Sequence, residues 1–360
     1  MVIHTLISIY LSFHENFPNA PSPRALCGRI PQSSDYLFPM LINKIEGCLY
    51  GYAIGDALGL GTEFMTRDEV KVRYPDGLRH YEQIIHDAHR TGWKKGEFST
   101  DTKLLLEMAE SIIERRDIDY MHVAAKLKHW FETDDNHDID SAMRWIFRHP
   151  DYTKNPHAVC EEIYNRQGHF EAHNEALGRC MLAGLWPGDI ERHVIDNCRL
   201  THWDTRCIVS GIMLAMMANS LYWDGTEADY DELCDVCSRL DPQVLPYLKL
   251  ARKADSLDVF NLDDEDTLWY TRKAMAVALW TIWHRTDPAE ALYEIIGYGG
   301  DADTNAAIAM SLMGLKYGVK SFPKHLVEGL LDHRRILNAS DRLAEVVIEA
   351  GKAAGRVQRQ

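Results

Sequence analysis

From about residue 41 onward, apolar positions recur at the three- and four-residue spacing of a helix. Leu104, Leu105, Met108, Ile112 and Ile113 share one face, and Val123, Leu127, Trp130 and Phe131 share another. The same spacing returns at Met213, Leu214, Met217 and Leu221, at Ala274, Val277, Ala278, Ile282 and Trp283, and at Ile308, Leu312 and Leu315. Asp341 to Ala354 reads as a last amphipathic helix. Runs that alternate with a period of two are short and few. The pattern predicts a compact all-α domain from about 41 to 355, with no clear internal boundary and no repeat. The longest later apolar run, Cys207 to Trp223, is rich in Ala, Met, Gly and Ser and suits a buried core helix better than a membrane span.

The first forty residues break this pattern. Met1 to Phe13 is apolar, but it lacks a basic leader and a small-residue cleavage site, and it is too short to cross a bilayer. Pro18 to Pro39 holds five prolines and three serines. Residues 1–40 therefore read as an irregular N-terminal arm.

One helix has a special face. Gly47, Gly51, Gly55 and Gly59 recur every four residues and line one side of it. Each costs about 1 kcal/mol relative to alanine, so the stripe needs a compensating reason. Close approach of another backbone is the natural one, which puts this helix at the centre of the bundle. Asp56 lies near its C-terminal end, where a carboxylate is disfavoured. It should meet a cation or a cluster of donors.

Composition narrows the function. The net charge is −15, which argues against a nucleic-acid partner. The eight cysteines are scattered through helical patterns and fit a reducing, cytoplasmic setting better than a disulfide framework. Cys234 and Cys237 form a lone CxxC with no further zinc ligands at comparable spacing. The acidic loop around His137, with Asp134, Asp135, Asp138 and Asp140, reads as solvated.

The candidate chemistry lies in two turns. Gly299-Gly300-Asp301-Ala302-Asp303-Thr304-Asn305 precedes the apolar run from Ala306 to Leu315. Ser99-Thr100-Asp101-Thr102 precedes the run from Leu104 to Ile113. Asp and Thr at a helix start serve as N-caps, and hard oxygens at such spacing also suit Mg²⁺, Ca²⁺ or Mn²⁺. If Glu63, Asp101, Asp301 and Asp303 share one cleft, they raise one another's pKa until divalent cations neutralise them. If the turns never meet, each is only a cap.

These residues resemble the ADP-ribosylglycohydrolase family. Gly47-Cys48-Leu49-Tyr50-Gly51-Tyr52-Ala53-Ile54-Gly55-Asp56-Ala57-Leu58-Gly59 is similar to its opening G-x-x-x-G-x-A-x-G-D-A-L-G. Ser99 to Thr102 resembles its [TS]-D-D-T turn, and Gly299 to Ala309 its G-G-D-x-D-T-N-A-A-I-A. Asn174 to Arg179 resembles a worn N-G-x-x-M-R, and Thr201-His202 its T-H pair. The matches cover residues 45 to 320 and leave 1 to 40 uncovered.

The resemblance implies an all-α fold over 41–360, a compact orthogonal multi-helix bundle with a dinuclear metal cleft. It implies two Mg²⁺ ions, with Mn²⁺ as an alternative, held by Ser99, Thr100, Asp101, Asp301, Asp303 and Thr304. Glu63, Asp101 and Asp303 would be catalytic. Read from the residues themselves, Asp56, Asn174, Arg179, His202, Tyr298, Gly299 and Gly300 are candidate ligand contacts, with a surface arginine, a helix-start cap and a packed aromatic as the alternatives for Arg179, His202 and Tyr298. The implied substrate is an ADP-ribosylated protein, most simply on arginine, with ADP-ribose as product and with no nucleic acid or membrane involved. ADP-ribosyl-serine and O-acyl-ADP-ribose are alternative substrates. A non-catalytic ADP-ribose-binding protein of the same fold is the reading from another class. Two departures stand out: Thr100 occupies the place of a first aspartate, and Glu175 that of a glycine.

Overall fold

The glycine stripe sits in the first helix, α1, Ser34–Gly59. The computed structural model describes residues 34–134, 138–168 and 172–357. After α1 come α2 (Arg67–Arg73), α3 (Thr100–Arg115), α4 (Tyr120–Thr133), α5 (Ser141–Arg148) and α6 (Pro156–Arg166). Then follow α7 (Leu177–Ala183), α8 (Ile190–Cys198), α9 (Thr205–Asn219), α10 (Tyr230–Leu240) and α11 (Leu245–Lys253). The chain closes with α12 (Thr271–His284), α13 (Pro288–Ile296), α14 (Ala302–Tyr317), α15 (Lys324–Gly329) and α16 (His333–Ala353). The described residues contain no strand, so the all-α expectation holds; a single bridge joins His173 to Tyr270.

The central pair is α1 against α14. A Cβ on Gly47 would lie 2.3 Å from the Gly314 carbonyl oxygen, and one on Gly59 would lie 2.4 Å from Asp303 Cα. These backbones touch along the whole stripe, as four small residues in register allow. The stripe therefore fixes where the first turn of α14 stands relative to the end of α1. Helix α12 packs on α14 from another side, and α16 packs on α1 and α3.

Helix α14 is buried over nearly its full length, from Ala302 to Leu315. A helix with no exposed face belongs in the interior. Helix α9 is similar: Cys207 to Leu214 are all buried. The run from Cys207 to Trp223 is thus a core helix with a terminal turn, and no described helix is long and apolar enough to cross a membrane.

The boundary of the arm needs correction. Helix α1 begins at Ser34 rather than after residue 40. Leu37, Phe38 and Met40 pack against the core, which extends the apolar face toward the N-terminus. Pro39 lies inside the helix, where it forfeits a backbone hydrogen bond that this packing offsets. Residues 1–33 lie outside the described residues.

Candidate functional site

The starts of α3 and α14 meet. The Thr304 hydroxyl donates to Asp101 Oδ2 at 2.8 Å, across 203 residues of sequence. Ligand oxygens of Glu63, Asp301 and Asp303 lie within 4.8 Å of one another. These groups sit at the floor of a cleft of about 500 Å³, in the size range of a small-molecule site.

Local structure places each group. Asp101 follows the N-cap Ser99, whose Oγ accepts from Asp101 N at 3.1 Å. Gly299 and Gly300 take φ of +70° and +65°. A Cβ on Gly300 would meet the Leu262 carbonyl at 1.9 Å, so this turn admits only glycine. Across it, Phe64 N donates to Gly300 O at 2.7 Å and Gly300 N to Met65 O at 2.8 Å. That pairing holds Glu63 against Asp301 and Asp303. Arg90 fixes the same loop from below, with Nε donating to Leu60 O at 2.8 Å and Gly61 O at 3.1 Å.

Asp56 does not line the cleft. It is fully buried and lies behind the cleft floor. Its carboxylate accepts from Ser99 N at 2.9 Å, Thr102 N at 3.1 Å and Thr102 Oγ1 at 2.5 Å. The cluster of donors demanded by its helix-end position is the start of α3.

Four more of the expected ligand contacts do not line the cleft. Arg179 is buried in the core, where Nη2 donates to Thr201 Oγ1 at 2.5 Å. Tyr298 is buried under the Arg67 guanidinium, 4.1 Å from its ring centre. Gly299 and Gly300 shape the backbone turn and do not line the cleft. For Arg179 and Tyr298, packing turned a polar side chain inward. His202 lines a smaller neighbouring cavity with Asp140, Met143 and His173. It bridges Thr201 Oγ1 at 2.8 Å and Glu175 Oε2 at 2.9 Å.

Asn174 lines the cleft, and its amide donates to Asp301 Oδ2. Ser99, Thr100, Asp101, Asp301, Asp303, Thr304 and Glu63 line it as well. Thr100 is not idle: its backbone N donates to Asp138 Oδ2 at 2.7 Å, and its hydroxyl donates to Asp138 Oδ1. Asp138 and Asp140, read from sequence as part of a solvated loop, both line the cleft. His137 of that loop lies outside the described residues.

Sequence reasoning missed several cleft residues besides these. His89 Nε2 lies 2.7 Å from Glu63 Oε2, and it comes from an irregular segment with no periodic signal. Phe64, Trp93 and Trp269 also line the cleft. The one available signal was position: Phe64 directly follows Glu63.

The electrostatics follow from crowding. Glu63, Asp101, Asp138, Asp140, Glu175, Asp301 and Asp303 line the cleft, with no Lys or Arg among its described residues. Burial, then the charge of Glu63, pushes Asp301 up to about 7 even though Asn174 stabilises its ionised form. Burial and the charges of Glu63, Asp301 and Asp101 carry Asp303 well above the carboxylate range. Asp101 rises for the same reasons, with burial first and then Asp56 and Asp301. Glu175 is the exception. Burial opposes its ionisation, but the hydrogen bond and charge of His202, with His173 beside it, hold it at about 2. The carboxylate that Glu175 brings into the glycine position thus faces two histidines, His202 at 2.9 Å and His173 at 4.0 Å.

Comparison with known proteins fits this geometry. The family model for ADP-ribosylglycohydrolase matches residues 39–353. An ADP-ribosylarginine hydrolase, Tri1, of Serratia proteamaculans is 26% identical over 310 residues, covering 84% of this chain and 79% of that protein. The ADP-ribosyl-[dinitrogen reductase] glycohydrolase of Rhodospirillum rubrum is 26% identical, covering 79% of this chain and 89% of the relative. A solved ADP-ribosylglycohydrolase-related protein complex superposes with a TM-score of 0.67 at 20% identity, over 85% of this chain and 99% of that one; it shares the fold.

Proposed function

Because the chain belongs to the ADP-ribosylglycohydrolase family, a family of glycosidic-bond hydrolases, we propose that its cleft releases ADP-ribose from ADP-ribosylated arginine side chains with the help of Mg²⁺. The observation that carries this reading is the hydrogen bond from Thr304 to Asp101, which joins two acidic turns into one floor. The arginine acceptor is supported by the names of the relatives and by the acidity of the cleft.

The donor set suits a hard cation. Ser99, Asp101, Asp301, Asp303, Thr304 and Glu63 offer only hydroxyl and carboxylate oxygens, and the buried Asn174 Oδ1 has no hydrogen-bond partner. These residues would hold a pair of Mg²⁺ ions, with Mn²⁺ as a substitute. When bound, such ions orient the ribose hydroxyls and offset charge as the leaving group departs.

The chain's own residues do the rest. Loss of the acceptor from the anomeric carbon leaves an oxocarbenium-like centre, which the carboxylates of the floor stabilise. Arginine linked through its guanidinium is already cationic, so it leaves as neutral guanidine without a proton from the enzyme. Water adds to the anomeric carbon, and the departing nitrogen ends with the proton that water loses. Glu63, steadied by His89 at 2.7 Å, is the group that accepts that proton and passes it on.

Release of ADP-ribose from an arginine-modified protein, measured with and without Mg²⁺, tests the proposal. Asp301→Ala and Asp303→Ala are expected to abolish release, a loss of at least about 100-fold. Full activity in both variants would refute the metal assignment.

A further inference from the structure

Phe64 is held in an unusual position. Its φ is +59°, a region that a bulky side chain rarely enters, yet the residue is 47% exposed. Backbone strain at a cleft is kept where the surroundings enforce it and the conformation has a use. Here the Gly300 pairing enforces it, and the result is an aromatic face turned out beside Glu63.

Phe64 is the middle of a strip. Its centroid lies 4.9 Å from His89 and 5.9 Å from Trp269. Trp93 continues the strip beyond His89 at 5.2 Å, and His173 continues it beyond Trp269 at 5.8 Å. All five rings line the cleft. The cleft otherwise presents seven carboxylates and no described Lys or Arg. Acidic surroundings with exposed aromatic faces favour a planar cation.

Position selects which part of the substrate lands there. Phe64 is bonded in sequence to Glu63, and its ring neighbour His89 hydrogen-bonds that carboxylate. The strip thus lies beside the group assigned to the bond that breaks. The base of ADP-ribose is separated from that bond by two riboses and a diphosphate. We propose that Phe64, with Trp269 beside it, is the platform on which the substrate's guanidinium stacks, and so selects arginine over a neutral acceptor. This rests on the arginine-hydrolase reading.

Agmatine, a free guanidinium, is the probe, followed by tryptophan fluorescence of the full chain. Wild type is expected to bind it, while Phe64→Ala and Phe64→Leu weaken binding about tenfold. Phe64→Tyr should restore it, since the π-face returns. Affinity for ADP-ribose should be unchanged in all variants. In release assays, kcat/KM for ADP-ribosylarginine should fall about tenfold in Phe64→Leu, while that for ADP-ribosylserine stays within about twofold. Equal agmatine binding by wild type and Phe64→Leu would overturn the platform, as would a matching loss of ADP-ribose affinity, which would make Phe64 a base contact. Agmatine binding that depends on Phe64, in a protein that releases no ADP-ribose, would support the platform and sink the hydrolase reading instead.

Discussion

At the scale of single residues, Asp56 shows how a carboxylate beside the cleft can shape it without lining it. Its two oxygens serve three donors at the start of α3 and so set the position of Asp101. Asp56→Ala strands those donors in a dry interior. It should destabilise the fold by about 2–4 kcal/mol, read from urea unfolding. Asp56→Asn keeps the shape but not the charge or the full acceptor capacity, and should cost less. A second residue-scale prediction concerns Asp138. Asp138→Asn still accepts from the Thr100 N–H, so the melting temperature should barely move, whereas Asp138→Ala should lower stability by about 1 kcal/mol through the lost cap. Both are checked by thermal unfolding.

Residue identity alone did not reveal these roles. The need of Asp56 for donors was legible from its place at a helix end. The partnership of Thr100 with Asp138 was not, because 38 residues of intervening chain had to fold first. Arg179 ends one motif and Tyr298 precedes another, but burial is set by tertiary packing that a single sequence does not print. His89 carried no local pattern at all.

At the scale of elements, the central contact is α1 on α14. The glycine stripe predicted a close helix partner, and α14 is that partner because its Gly314 end is small and its Ala306–Ala307 segment is smooth. A methyl group on Gly59 would press on Asp303 Cα at 2.4 Å and would have to push the first turn of α14 away. Gly59→Ala should therefore cost about 1–3 kcal/mol in stability and also lower kcat. Gly47→Ala presses on Gly314, at the far end of the same helices, and should cost stability with much less effect on kcat. A kcat loss that is equal in the two variants would contradict the claim that the stripe aligns the site. Helix existence was legible from periodicity across α3, α4, α9, α12 and α14. The N-terminus of α1 was missed because Pro39 reads as a stop, while the apolar residues around it favour continuation.

At the scale of the whole molecule, folding gathers acidity into one cleft. Asp56 at about 6 and Asp301 at about 7 hold protons that an unfolded carboxylate, near about 4, has released. Between these values the native state binds more protons than the unfolded state. Without metal, the contribution of these two groups to stability therefore falls as pH rises from about 4 to about 7, opposite in sign to that of carboxylates held low, such as Glu175. Divalent cations compete with those protons, so Mg²⁺ should raise the melting temperature more at about pH 8 than at about pH 5. Equal stabilisation at both would mean that the ions bind elsewhere.

The most direct test of the central claim is calorimetric titration of metal-stripped protein with Mg²⁺. A floor built from both turns predicts that Asp101→Ala, on α3, weakens binding as Asp303→Ala does on α14. Unaltered Mg²⁺ binding in Asp101→Ala would show that the two turns do not hold ions together, and would contradict the account.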